Sequence, residues 1–407
     1  MDSITKIHQP YNREQKALEL EQAFSPSSPI LEKQFFAGRI SEIDEVVDSI
    51  NERGQHVIVY GERGVGKTSF SNIIGKELIG VFPVKVTCNR SDSFKNIWGK
   101  AFAKVKFEKN SVGVGYLPVN TVEELQLDLF LPESENVSPL DIQLILEKVE
   151  FNLLFIFDEY DSIIDPDILR KMADTIKALS DNAPKITVMI VGIADNVAGL
   201  IGAHPSIERC MRQVLMPRMS DSELDLIISR GLDFLGFGVQ PEVRARVVKL
   251  SQGFPHFTHL LTKQAAKATI EDGAFTIGSE QYARALVASV ARVDESIRLV
   301  YQQATFSTKD KSNFEAVLWA CANSASDEHG TFSTKDVVSS FEILTKKSAK
   351  SESLSYHVGK LCLKERGCVL HRVEAGKYVR FRFVNPLFRA YVKMKYESVV
   401  NVRKLRF

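Results

Sequence analysis

Short apolar runs separated by helix-period segments set the pattern of this chain. His56–Tyr60 (His-Val-Ile-Val-Tyr) is apolar and β-branched and predicts a buried strand. Val81–Cys88 alternates at period two and predicts a second. Phe151–Phe157 and Lys185–Val191 are near-continuous apolar runs, the pattern of central parallel strands covered on both faces, and Gln213–Met216 predicts one more short strand. Between them, Ser41 is placed to cap a helix with Ile43, Val46, Val47 and Ile50 on its apolar face. Ser138-Pro139-Leu140-Asp141 is a helix start, with proline at the first helical position. Strands alternating with helices imply an α/β fold with a doubly wound parallel sheet. Residues 1–35 are polar and then irregular, an arm in which Pro26 and Pro29 favour extended backbone. Residues 108–137 form a weakly patterned acidic connector.

The decisive stretch follows the first strand. Gly61-Glu62-Arg63-Gly64-Val65-Gly66-Lys67-Thr68-Ser69 matches G-x-x-x-x-G-K-[ST] and leads into a helical pattern. The glycines let successive N–H groups curl into an anion nest, and the following helix turns its positive end toward phosphates. Lys67 is expected to reach the β and γ phosphates of ATP and Thr68 to ligate Mg²⁺. The 151–157 strand delivers Asp158 and Glu159 at its carboxyl end, Asp158 to hold Mg²⁺ as the Walker B acid and Glu159 to activate the attacking water. At the end of the 185–191 strand Asp195, with Asn196 as second choice, is placed to sense the γ phosphate. Arg209 or Arg212 is placed to act as an arginine finger on a neighbouring subunit.

The second half of the chain reads as helices, then a hairpin. Ser220-Asp221-Ser222-Glu223 is a capping box, as is Ser333-Thr334-Lys335-Asp336. Asn313–Ala322 and Ser351–Arg366 are helical, the latter with Leu354, Val358, Leu361 and Leu363 as an apolar stripe. Cys368–Val373 and Tyr378–Val384 flank a turn at residues 374–377. Three helices and a hairpin make a winged helix.

Composition changes the picture in two places. With 407 residues there is room for two or three domains, no apolar run is long enough to span a bilayer, and no signal-like N-terminus is present. Five scattered cysteines without C-x-x-C spacing argue against a disulfide framework or zinc site, and a cytoplasmic setting is expected. The net charge of +1 hides a segregation: residues 341–407 hold 16 Lys and Arg against 5 Asp and Glu, +11, which leaves −10 for residues 1–340. A polyanion-facing module is expected there. For duplex DNA, the third helix would enter the major groove with Ser355, Tyr356, Lys360 and Lys364, while the wing would offer Arg372, Lys377, Arg380 and Arg382 to phosphates. Docking to a protein is the alternative use of a winged helix.

Phe36-Ala37-Gly38-Arg39, the phosphate loop, the Asp158-Glu159 strand, Val191-Gly192-Ile193-Ala194-Asp195 and Gly253-Phe254-Pro255 occur in the order seen in AAA+ and STAND ATPases of the origin-recognition-like group, which the chain resembles. The resemblance implies an arm over 1–35, a P-loop core over 36–218, a helical lid over 219–305 and a winged helix over 306–407. It implies that Phe36, Gly38 and Arg39 contact the adenine side of the nucleotide. Initiator ATPases carry a lid arginine where His256 or His259 stands here, so a proline packing on adenine, Pro255, is expected as in STAND proteins. The function implied is a slow, Mg²⁺-dependent ATPase cycling between ATP and ADP as a switch, as a homo-oligomer or with an effector protein. It would act on DNA or, alternatively, as a STAND-type signalling or anti-phage defence ATPase without DNA.

Overall fold

The computed structural model describes residues 12–112, 120–194, 200, 207, 209–306, 313–327, 330–375 and 378–405. They group into two compact units, one of residues 28–218 and one joining the N-terminal residues before 28 to those from 219 onward.

The first helix, α1 (Arg13–Ala23), belongs to the second of these units and lies where an irregular arm was expected. Its apolar positions follow no helical period, which hid it from the sequence. Asn12 caps it by accepting from the N–H groups of Glu14 and Gln15, and Leu20 and Ala23 are buried.

In the 28–218 unit, α2 (Ile40–Asn51) precedes β1 (His56–Gly61) and α3 (Lys67–Glu77). The cap of α2 is Arg39 in a left-handed conformation (φ 63°), not Ser41, so the helix starts earlier than the capping pattern predicts. Then come β2 (Val81–Thr87), α4 (Phe94–Phe102), β3 (Lys106–Val112), β4 (Asn120–Gln126), α5 (Pro139–Leu146), β5 (Asn152–Asp158), α6 (Pro166–Asn182), β6 (Ile186–Ile193) and β7 (Met211–Leu215). The expected connector contains the antiparallel β3–β4 pair. The helix start predicted at Ser138 is present, and Asp141 closes it as a capping box.

Five strands make one parallel sheet in the order β2-β5-β6-β1-β7. The strand ending in Asp158 is thus not the neighbour of β1: β6 lies between them. Phe155 and Phe157 meet Trp98 of α4 edge-on at 5.4 and 5.2 Å between ring centroids. Ile156 points to the other face, where a Cβ on Gly75 of α3 would come within 3.7 Å of it and 3.2 Å of Pro83. Both faces of the sheet are therefore covered, and the strands' apolar runs follow from that. His56 is fully buried and its Nδ1 accepts from the Val188 N–H at 3.0 Å.

In the second unit, α7 (Asp221–Leu235), α8 (Pro241–Ser251), α9 (Pro255–Asp272), α10 (Ser279–Arg292) and α11 (Glu295–Thr305) form a helical bundle, with the Ser220–Glu223 capping box in place. The two-residue strands β8 (Gly238–Val239) and β9 (Thr276–Ile277) pair beside it. α1 packs on α7 and α9. Phe24, just beyond α1, is wholly buried, and a Cβ on Gly231 of α7 would lie 2.2 Å from its ring, so glycine there makes the pocket. The two histidines of the lid turn serve this segment. His259 meets Phe24 edge-on at 5.8 Å, and His256 Nδ1 donates to the Pro26 carbonyl at 2.7 Å.

The same unit continues as α12 (Phe314–Asn323), α13 (Thr334–Thr345) and α14 (Ser351–Leu361), then the hairpin β10 (Leu370–Ala375) and β11 (Tyr378–Phe383), which Phe332 joins through paired hydrogen bonds of 2.8 Å with Phe381. This is the winged helix. α14 stops five residues before the predicted Arg366. Leu354, Val358 and Leu361 are buried as its stripe requires, whereas Leu363 is exposed beyond the helix end. A last helix, α15 (Pro386–Leu405), fastens the wing to the bundle: Tyr282 donates to Glu397 at 2.9 Å and Lys393 to Gln252 at 2.7 Å.

Burial pulls the imidazoles of His56 and His259 down to about 4. In the unfolded chain each titrates near 6.5, so the unfolded state takes up protons first, and stability present above pH 6.5 is lost as pH falls toward 4. Between pH 7 and 5 each histidine is expected to remove roughly 2 kcal/mol of unfolding free energy. Urea denaturation at the two pH values checks this: the decrease should be smaller in His259→Leu, and an equal decrease in parent and variant would contradict it.

Candidate functional site: the phosphate loop and the acidic strand end

β1 ends where the chain must turn sharply. Gly61 has φ 151° and a Cβ there would lie 2.4 Å from the Met216 carbonyl, so the loop can start this close to the segment after β7 only with glycine. Gly64 (φ 89°) and Gly66 (φ 99°) are also left-handed, and Gly66 caps α3. Lys67 opens that helix and is 8% exposed. Its Nζ donates to the carbonyls of Gly61 (2.9 Å) and Glu62 (2.8 Å), which holds it folded over the loop. Burial draws its ammonium down to about 8 against the opposing pull of Asp161, Asp158 and Glu62.

Asp158, 3% exposed, comes to the same place from β5. The Thr68 hydroxyl donates to its Oδ1 at 3.5 Å, and the Glu159 N–H donates to the same oxygen at 2.9 Å. Lys85 of β2 pairs with Oδ2 at 2.9 Å. Glu159 stands next in a left-handed conformation (φ 56°) with an exposed side chain. Such backbone in a residue other than glycine costs about 1 kcal/mol and is concentrated at functional positions. Asp161 turns back, and its Oδ1 accepts from the Ile193 N–H at 2.8 Å, which ties this turn to the end of β6.

One carboxylate and one hydroxyl are too few to hold a cation by themselves, and among the described residues no group of three or more His, Cys, Asp or Glu side chains could. The pair suits a hard cation that keeps waters and substrate phosphates as its other ligands, as Mg²⁺ does. Thr68 and Asp158 would hold it.

Two arginines brace the loop from outside. Arg39, 2% exposed, pairs with Glu42 at 3.1 Å and donates to the carbonyls of Val65 (3.2 Å) and Pro217 (2.6 Å). Arg218 grips Glu62 with two bonds of 2.6 and 3.0 Å. The loop is thereby fixed at both its second and fifth residues to the segment that follows β7.

No family model and no curated protein sequence matches the chain. Solved structures do. It is similar to the Aeropyrum pernix ORC2 protein over 94% of this chain and 98% of that one, with 14% identity and a TM-score of 0.51. It is also similar to a Walker-type ATPase of Pyrococcus abyssi over 90% and 99%, with 14% identity and a TM-score of 0.50. The fold is that of the origin-recognition-like AAA+ P-loop ATPases.

In this AAA+ fold the residues expected at the site are distributed as follows. Gly61–Thr68, Asp158 and Glu159 converge at the carboxyl end of the sheet. Ser69 accepts from the Ile30 N–H at 3.0 Å and Arg63 is exposed. Phe36 is buried and Gly38 partly so, beside Arg39, whose guanidinium is committed to the loop and to Pro217. Asp195 and Asn196 lie outside the described residues. Arg209 is largely exposed at 3.9 Å from Asp181, while Arg212 pairs with Glu45 at 2.7 Å. Pro255 opens α9 in the second unit. In the winged helix Ser355 and Tyr356 are exposed, and Lys360 lies over the Tyr356 ring at 5.8 Å. Lys364 and Arg372 are exposed, and Lys377 lies outside the described residues. The hairpin register sets Arg380 and Arg382 on one face with His371, and Arg372 on the other with Phe381. Arg380 is held by the Thr331 carbonyl at 2.8 Å and Asp327 at 3.2 Å.

Lys85, Asp161 and Arg218 were not singled out from the sequence. Lys85 gave no usable signal: in a strand that alternates at period two, a lysine between the buried Val84 and Val86 takes the polar side. Arg218 and Asp161 find their partners only through the tertiary fold.

Proposed function

We propose that the protein is an ATP-binding, Mg²⁺-dependent ATPase that uses the nucleotide to change state. The observation that carries this reading is the approach of Thr68 to within 3.5 Å of Asp158, at the end of a glycine-built loop that also presents Lys67. The backbone N–H groups of Gly64 to Thr68 bind phosphate oxygens, and Lys67 leaves the two loop carbonyls to meet the β and γ phosphates. Thr68 and Asp158 would hold Mg²⁺, which when bound would offset charge on the phosphate oxygens. Glu159 holds the attacking water in line with the γ phosphorus and takes its proton. Lys67 offsets the charge that builds on the transferred group. The Aeropyrum pernix ORC2 protein, which shares the fold, forms ADPNP–ADP complexes, in keeping with this reading.

We assign Asp195 the sensing of the γ phosphate and Arg209, the more exposed of the two arginines, a role in trans on a neighbouring copy. Phe36, Gly38 and Pro255 are assigned to the adenine side. The +11 segment supports duplex DNA as the partner of the winged helix, with Tyr356, Lys360, Lys364, Arg372 and Arg382 as its contacts; Arg380, tied to Thr331 and Asp327, holds the wing's shape instead. A STAND-type switch that assembles with partner proteins in the cytoplasm, without DNA, is the second reading. It is favoured by the two lid histidines, which hold the N-terminal segment where an initiator ATPase carries an arginine.

Glu159→Gln is expected to keep ATP binding within a few-fold and to lower hydrolysis by about 10²-fold or more in a phosphate-release assay. Equal rates in parent and variant would remove Glu159 as the base. Duplex DNA is expected to bind with an affinity that falls steeply with salt and is lost in Lys360→Glu combined with Arg382→Glu, as read by fluorescence anisotropy. Absence of binding at low salt favours the second reading.

A further inference from the structure

Asp158 is a buried carboxylate with a fixed cation behind it. On β2, Lys85 is opposite Ile156 of β5, so its side chain emerges on the α3 face of the sheet, two residues below Asp158. Its Nζ meets Asp158 Oδ2 (2.9 Å), Ser71 Oγ (2.8 Å), Asn72 Oδ1 (2.6 Å) and the Thr68 carbonyl (3.3 Å). Four acceptors surround three hydrogens, so the ammonium has one position. The carboxylate is fixed in turn. Oδ2 is held by Lys85, which leaves Oδ1, the oxygen already receiving the Glu159 N–H, facing Thr68.

We propose that Lys85 is a positioning residue that sets the Mg²⁺ requirement of nucleotide binding by aiming the metal-side oxygen of Asp158. The proposal rests on the nucleotide reading above and adds to it a residue outside the phosphate loop and the acidic pair. Mg²⁺ demands near-ideal octahedral placement of its ligands, so a carboxylate free to rotate is a poorer ligand than one held by its other oxygen. Partners behind a metal ligand typically change metal affinity by about 10- to 100-fold when removed. Lys85 also joins three elements at one atom: the end of β5, the first two turns of α3 and β2. An Asp158 that moved toward or away from Thr68 would carry Lys85 and the start of α3 with it.

The test is binding of a fluorescent ATP analogue to the full chain, with Mg²⁺ titrated from an EDTA baseline. Lys85→Met is expected to raise the half-saturating Mg²⁺ concentration about tenfold while affinity in EDTA stays within twofold of the parent. In an Asp158→Asn background the same substitution should add nothing further, because the oxygen it positions is gone. Lys85→Arg, which keeps a cation on that wall, should lie between parent and Lys85→Met, and it preserves the test if Lys85→Met does not fold. An unchanged Mg²⁺ requirement would overturn the proposal alone, as would an equal loss of affinity in EDTA or effects that add in the double variant. Failure of the parent to bind the nucleotide even with Mg²⁺ would overturn the nucleotide reading itself, and the proposal with it.

Discussion

The structure depends on keeping opposite charges close together where water is scarce. Lys67 and Asp158 are both nearly inaccessible, and a buried ion is tolerated only when partners replace its hydration. Lys67 has the carbonyls of Gly61 and Glu62. Asp158 has Lys85, the Glu159 N–H and the Thr68 hydroxyl. These partners come from the end of β1, from β2, from the turn after β5 and from the start of α3, so those elements must meet at one level of the sheet. The covered faces of the sheet, with Trp98 on one side and Gly75 on the other, provide the rigidity that this registration needs.

The glycines follow from the same constraint. Gly61 lets the loop pass so near the Met216 carbonyl that a Cβ would lie 2.4 Å from it, and the segment after β7 in turn supplies Pro217 to Arg39 and Arg218 to Glu62. Arg39 therefore serves the loop through its backbone. A buried arginine with carbonyl and carboxylate partners fixes distance and direction together, because its guanidinium donates in a planar fork. The loop is held from the side by these two arginines.

Much of this was legible along the chain because its signals are local. The strand before the phosphate loop, the loop itself, the Asp158-Glu159 strand end, the helix start at Ser138 and the capping boxes at Ser220 and Ser333 are written in consecutive residues, and each formed as its pattern implies. What failed were features decided by distant partners. α1 has no apolar period and is held by Phe24 in the pocket over Gly231. Ser41 lost the cap of α2 because Arg39, fixed by Val65 and Pro217, imposes its own left-handed turn. The strand order, with β6 between β1 and β5, was not predicted, because no local pattern encodes it. Lys85 was hidden, because a lysine at an alternate position of a period-two strand is ordinary. Its meaning needed the neighbouring strand.

The central claim is that Lys67 and Asp158 face one another across a place built for a triphosphate. Equilibrium uptake of ATP with Mg²⁺, measured by isothermal titration calorimetry on the parent and on Lys67→Ala, tests it most directly. The account predicts micromolar-range binding of one nucleotide per chain in the parent, on the order of 8 kcal/mol, and a loss of at least tenfold in the variant. Equal uptake by the two proteins would contradict it.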